Sequence, residues 1–212
     1  MGLLDAIPSG MFRKVPRRNL VVVLDAAHGK DVPGKCSPDG THREYIWSRM
    51  ICRLLSEELT KIGFTVCHTV ADDVEPGLST RVKRAALFAG TRKLLLSMHN
   101  NAAGDGTLWM DASGVEIFTS PGKNKADKSA QIIIQQLRDD FPELKFRLDY
   151  SDGDADKEAK FTVINTDQYM GVLLEWLFQD NLYDCVLLKN PSYNKKLVGS
   201  LVKAILTIEK SV

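Results

Sequence analysis

Residues 19–29 read NLVVVLDAAHG. The Val-rich run 19–25 has the length and continuous apolarity of a strand buried on both faces, and it ends in a polar loop that opens with a histidine and a glycine. From Thr41, apolar positions Ile46, Met50, Leu54 or Leu55, Leu59 and Ile62 recur at steps of three and four, predicting a helix that stops at Gly63. FTVCHTV (64–70) is strand-like, LSTRVKRAALFAG (78–90) reads as a helix closed by Gly90, and KLLLSMH (93–99) as a third strand. Strand, helix, strand, helix, strand is the pattern of an α/β domain. GVEIFTS (114–120) adds a fourth strand, Lys125 to Phe141 a helix, and residues 142–160 a polar, acidic surface excursion. Strands near FTVIN (161–165) and VLLEWLF (172–178) follow, with a closing helix from about Tyr193 to Glu209. The expectation is an α/β single domain over 19–212: a twisted, mostly parallel sheet of about six strands with helices on both faces.

Composition narrows the function classes. The chain has 212 residues, 44% of them apolar, enough for one core. Its formal charge of +1 gives no basic field for a nucleic-acid backbone, so no nucleic-acid partner is expected. No apolar run approaches the roughly 20 residues that span a bilayer, so no membrane insertion is expected. Cys36, Cys52, Cys67 and Cys185 form no closely spaced pair and read as free thiols. Residues 1–18 read as an irregular leader without an export signal, since Asp5 and Pro8 interrupt the apolar stretch before the basic cluster.

GKDVPGKC (29–36) matches the spacing of a phosphate-binding loop directly after a strand. It fails on chemistry. Pro33 lacks an N–H for phosphate, and Cys36 offers soft sulfur where magnesium needs a hydroxyl. The loop is expected only to flank a neighbouring site, and Lys35 to be dispensable.

In parallel sheets ligands gather at the carboxyl ends of strands. His28 and His99 both stand there, and two imidazoles with a carboxylate suit zinc with one position left for water. The candidate carboxylate is Glu44, although Thr41-His42-Arg43-Glu44 fits a helix capping box equally well. His42 and Glu44 stand two apart and do not share a helix face, so both should not bind. His68 alternates with Phe64 and Val66 and reads as a core or edge residue. Glu175 is an acid inside the apolar run VLLEWLF; it is either a general base whose pKa burial raises, or the partner of Arg81, Arg84 or Arg53.

Taken together, LDAAHG (24–29), Glu44, LSTRVKRA (78–85), SMHNNA (97–102), GVEIF (114–118) and LLEWLFQDN (173–181) resemble, in collinear order over roughly 19–209, the zinc-dependent N-acetylmuramoyl-L-alanine amidases. The resemblance implies a peptidoglycan hydrolase that cuts the amide between N-acetylmuramic acid and L-alanine. It assigns His28, Glu44 and His99 as ligands of one Zn2+ and Glu175 as the catalytic glutamate; Asn101 is the candidate polar neighbour on the substrate side, where it would help hold the oxyanion. Where the family usually has glycine, this chain has Ala27 and Leu177; with Asp180, Leu177 bears on the substrate groove. No room exists between Met98 and Gly114 for the helical insertion that blocks regulated members, which implies an open site. The resemblance further implies a monomeric phage or prophage endolysin, made in the bacterial cytoplasm and reaching the wall after holin-dependent release. A sporulation or wall-remodelling lysin, a zinc peptidase of the stem peptide and a silent wall-binding module are the alternatives.

Overall fold

The computed structural model describes residues 17–212, so most of the leader 1–18 lies outside the described residues. Six strands, β1 (Val21–Ala26), β2 (Thr65–His68), β3 (Lys93–Asn101), β4 (Val115–Thr119), β5 (Lys157–Glu158) and β6 (Met170–Phe178), form one sheet in the order β2-β1-β3-β6-β4-β5. Every neighbouring pair is parallel except β4 with β6. The helices are α1 (Glu44–Lys61), α2 (Leu78–Leu87), α3 (Lys125–Asp140), α4 (Leu182–Leu188) and α5 (Pro191–Ser211).

The unbroken apolar run of β1 follows from its position. Val22, Leu24 and Ala26 enter a large core with Trp47, Ile51 and Leu55 of α1, Ile133 and Leu137 of α3, and Leu201 and Ile205 of α5. Val21 and Val23 point the other way, into a smaller cluster with Ala85 of α2, Val163, Ile164 and Tyr169. Each fully buried Leu or Ile contributes roughly 1.5–3 kcal/mol, so a central strand can carry few polar residues. Gly63 ends α1 as expected: at φ +92° it takes the left-handed conformation that glycine adopts at least cost, and its N–H reaches the Thr60 carbonyl.

Several expectations need correction. Residues 161–165 are a turn rather than a strand, with the N–H groups of Ile164 and Asn165 both donating to the Phe161 carbonyl at 3.0 Å. Val163 and Ile164 are buried, but as a plug on the sheet face; Ile164 lies so close to Gly171 that a Cβ there would approach its Cα to 2.8 Å. The outer strand lies instead at Lys157–Glu158, within the stretch read as a surface excursion. Helix α4 is unanticipated because Leu182, Tyr183 and Val186 are exposed, leaving no apolar stripe to read. The closing helix also begins two residues earlier than expected, at Pro191, with Asn190 as its cap.

The order of strands puts the carboxyl ends of β1, β3 and β6 side by side. Buried Asp184 of α4 ties down this end, accepting from Ser113 Oγ (2.7 Å) and from the backbone N–H groups of Gly114 (3.1 Å) and Phe178 (2.9 Å). Asp184→Ala strands two buried amide donors and should lower unfolding free energy by roughly 2–4 kcal/mol, read as a lower urea midpoint.

Candidate metal centre

His28 stands two residues past β1, His99 lies near the end of β3, and Glu44 opens α1. Their donor atoms all lie within 4.8 Å of one another, the sole such group of His, Cys, Asp or Glu among the described residues. Glu44, 1% exposed, approaches His99 Nδ1 at 3.0 Å and His28 Nε2 at 3.4 Å. It also accepts the Asn100 backbone N–H at 3.1 Å and the Gln179 amide at 3.4 Å. Glu44 therefore makes no capping box: Arg43 is the N-cap and no side chain caps the helix, while Thr41 turns back to Asp39. The choice left open by the spacing falls to the site.

Backbone geometry brings His28 inward. Its φ of +47° is left-handed, unusual for a residue with a Cβ. Two guanidinium groups hold that turn: Arg49 donates to the carbonyls of Ala27 (3.1 Å) and His28 (2.9 Å), and Arg81 to those of Ala26 and His28 (3.3 Å). Arg81 is itself fixed between Asp25 and Glu75, each at 2.8 Å. Asp25 completes its shell with Ser97 Oγ at 2.6 Å and the Thr69 hydroxyl. Gly29 follows because a Cβ there would lie 2.2 Å from the Glu75 backbone nitrogen.

Glu175 of β6 pairs in register with His99 of β3. Its Oε2 is buried without a hydrogen-bond partner. None of the arginines considered for it is available. Arg81 is taken, Arg84 donates to the Thr69 carbonyl at 2.6 Å, and Arg53 pairs with exposed Glu57. Burial, reinforced by the Glu44 charge, pushes the Glu175 carboxyl up to about 7 against the opposing pull of His99 and Lys35. Burial likewise pushes His28 down to about 4, leaving a neutral imidazole whose lone pair is free to bind. Burial opposes charge on His99 too, but the Glu44 hydrogen bond and the charges of Glu175, Glu44 and Asp25 outweigh it and raise its pKa. Glu44 moves in the opposite sense: burial works against its charge, yet His99, His28 and the Asn100 N–H hold it below the usual carboxylate range.

His28, His99 and Glu175 line a cavity of about 340 Å³ together with Glu75, Leu78 and Phe161. A larger hollow of about 660 Å³ near Arg92, Asn124 and Met170 contains neither imidazole nor thiol. His42 is buried and meets Asn100 Oδ1 at 2.8 Å, supporting the loop rather than joining the donors. His68 is exposed at the end of edge strand β2. Asn101 lies at the end of β3, its amide donating to Glu116 at 3.0 Å and its oxygen accepting the Ala102 N–H. Asn100, Gln179, Arg49 and Asp25 escape the sequence reading. For Asp25 a signal existed, an acid closing an apolar run as Glu175 interrupts one.

Residues 22–207 match the N-acetylmuramoyl-L-alanine amidase family. The chain belongs to this family. Among solved structures it resembles the amidase of Clostridium difficile 630, with 21% identity, a TM-score of 0.78, and coverage of 92% of this chain and 98% of that one. The catalytic domain of the amidase CwlV from Bacillus (Paenibacillus) polymyxa var. colistinus gives 22%, 0.73, 88% and 96%. The catalytic domain of CD27L, an endolysin targeting Clostridia difficile, gives 18%, 0.62, 90% and 98%. A search of curated proteins finds no match.

The amidase fold accounts for Leu177. The residue sits at φ +62°, where the β3–β6 pairing slips between His99 and Asn101. A left-handed Leu costs roughly 1–2 kcal/mol, which its complete burial offsets at roughly 1.5–3 kcal/mol. Leu177 is thus core, not groove. Asp180 is buried too, accepting the N–H groups of Ala103 and Gly104 at 2.8 Å each. Between Met98 and Gly114 there is no helix.

The pKa of Glu175 yields a pH signature for metal-free protein. Below the ordinary carboxylate range the group is protonated whether the chain is folded or not. As pH rises towards 7 the unfolded chain ionises first, drawing the equilibrium towards unfolding. Glu175→Gln should therefore raise the melting temperature of chelator-treated protein at pH 8 and leave it little changed at pH 4. A fall at pH 8 would indicate a structural ion pair.

Proposed function

We propose that this amidase-family chain is a zinc-dependent peptidoglycan hydrolase that cleaves the amide between N-acetylmuramic acid and L-alanine. The observation that carries the reading is the juxtaposition of three convergent donors, His28, Glu44 and His99, with the Glu175 carboxyl, whose buried Oε2 has no hydrogen-bond partner. Two imidazoles and one carboxylate fit zinc in type and number, with a position left open as in catalytic sites. Zinc, when bound there, supplies Lewis-acid polarisation of the scissile carbonyl and acidifies water.

The chain's own residues do the rest. Glu175, raised to about 7, is matched to proton transfer near neutral pH: its carboxylate takes a proton from the attacking water and its acid form returns it to the leaving nitrogen of L-alanine. Arg49 and Arg81 keep the left-handed His28 turn in place, and Asn100 and Gln179 fix Glu44. Asn101 stays a substrate-binding candidate at the strand end.

The biological setting proposed is that of a monomeric phage or prophage endolysin, made in the cytoplasm and reaching the wall through a holin-made pore. Support comes from the likeness to a catalytic domain described as an endolysin. No helix among the described residues is long and apolar enough to cross a membrane.

Digestion of purified muropeptides should release a peptide with a free L-alanine amino terminus and an intact sugar. Cleavage within the peptide would show a peptidase instead. His99→Ala should lose zinc and hydrolysis together. Glu175→Gln should keep its zinc while turnover falls about 10²–10⁴-fold, measured as kcat beside metal content. Expression in a bacterial cytoplasm should lyse cells when a holin is co-expressed and not without it.

A further inference from the structure

The loop GKDVPGKC, excluded as a phosphate cradle, sends Lys35 to the wall of the catalytic cavity. Lys160 reaches the same cavity from the segment that leaves β5. Both residues are exposed, and neither forms an ion pair with a described residue. The acids on that wall are committed elsewhere. Asp25 and Glu75 close on Arg81 from two sides, and Glu175 is half-buried with its Oε2 withdrawn from water. Lys35 shares this cavity with His28, His99 and Glu175, so its ammonium opens onto the same space as the reacting centre. Leu78, Phe161, Val163 and Leu173 add apolar surface to the same wall.

An apolar wall with two unpaired ammonium groups suits a ligand that carries a carboxylate on a short aliphatic frame. Within the proposed substrate, the lactyl carboxyl of the sugar is consumed in the scissile amide, and the hydroxyl and N-acetyl groups are neutral. The peptide half supplies the carboxylates. We infer that Lys35 and Lys160 form a subsite for a carboxylate of the peptide half, selecting anionic over amidated peptides. This rests on the amidase reading above and replaces the expectation that Lys35 is dispensable. Hydrated ammonium groups at a cavity mouth act through steering and partial pairing, so each is expected to contribute about three- to tenfold in selectivity.

The test compares two synthetic N-acetylmuramoyl peptides that differ only in a carboxylate or carboxamide on the peptide. Zinc-loaded wild type should prefer the carboxylate in kcat/KM, mostly through KM. The preference should shrink as salt rises, fall in Lys35→Met and Lys160→Met, and vanish in the double variant. Equal use of both substrates by wild type, or full preference in the double variant, overturns the subsite. Calorimetric titration of zinc-loaded Glu175→Gln protein with the two sugar-free peptides separates this from the amidase reading. Tighter binding of the carboxylate peptide, lost in the Lys35→Met, Lys160→Met background, supports the subsite even if neither substrate is cleaved; equal affinity counts against it even if both are.

Discussion

Among the carboxylates gathered at one end of this sheet, Asp25, Glu116, Glu44 and Glu175 show the two fates open to a charge withdrawn from water, compensation or neutralisation. Asp25 is met by Arg81, Ser97 and Thr69. Glu116 is met by Arg147 (2.7 Å), Lys157 (2.9 Å) and Asn101. Glu44 is met by two imidazoles and a backbone N–H, donors that a cation can share or replace. Glu175 alone of the four keeps a buried oxygen with no donor. The first two arrangements make the frame on which the last two act. Arg81 neutralises Asp25 and, with the same guanidinium, reaches the His28 carbonyl, so stability and ligand orientation share one side chain.

Much of the frame was legible because burial on both faces demands continuous apolar runs. β1, β3 and β6 announce themselves in this way, and α1, α3 and α5 by their apolar stripes. What failed is instructive. FTVIN has the composition of a strand, but a short apolar run states that it will be buried without stating what it will hydrogen-bond to. The Phe161 carbonyl accepts two local N–H groups, and the segment folds on itself instead of pairing. The strand that does pair there, Lys157–Glu158, is two residues long and charged, beyond the reach of periodicity.

The site divides along the same line. His28, His99 and Glu175 could be singled out because each breaks a pattern at a strand's end. Glu44 could not be decided from spacing, since a capping glutamate and a metal ligand occupy the same helical position. Tertiary context removes the capping box and sets Glu44 against His99 and the Asn100 N–H instead. Asn100, Gln179 and Arg49 gave no warning: each acts through an atom whose partner is distant in sequence, as with Gln179 and Glu44, 135 residues apart.

The strand order has a consequence for how the protein comes into being. Of the six strands β6 is the last in sequence, yet it is inserted between β3 and β4. The candidate metal donors His28, Glu44 and His99 lie within residues 28–99, whereas Glu175, proposed as the general base, comes much later in the chain. A nascent chain emerging from the ribosome therefore carries its whole donor set long before it carries a base, and the β3 edge stays open until β6 docks. Long-range strand insertion of this kind tends to be a late, slow event in folding. On the proposed assignment, catalytic competence is thus tied to completion of the sheet, and a hydrolase built in this order lacks its proposed base at every stage short of the finished fold.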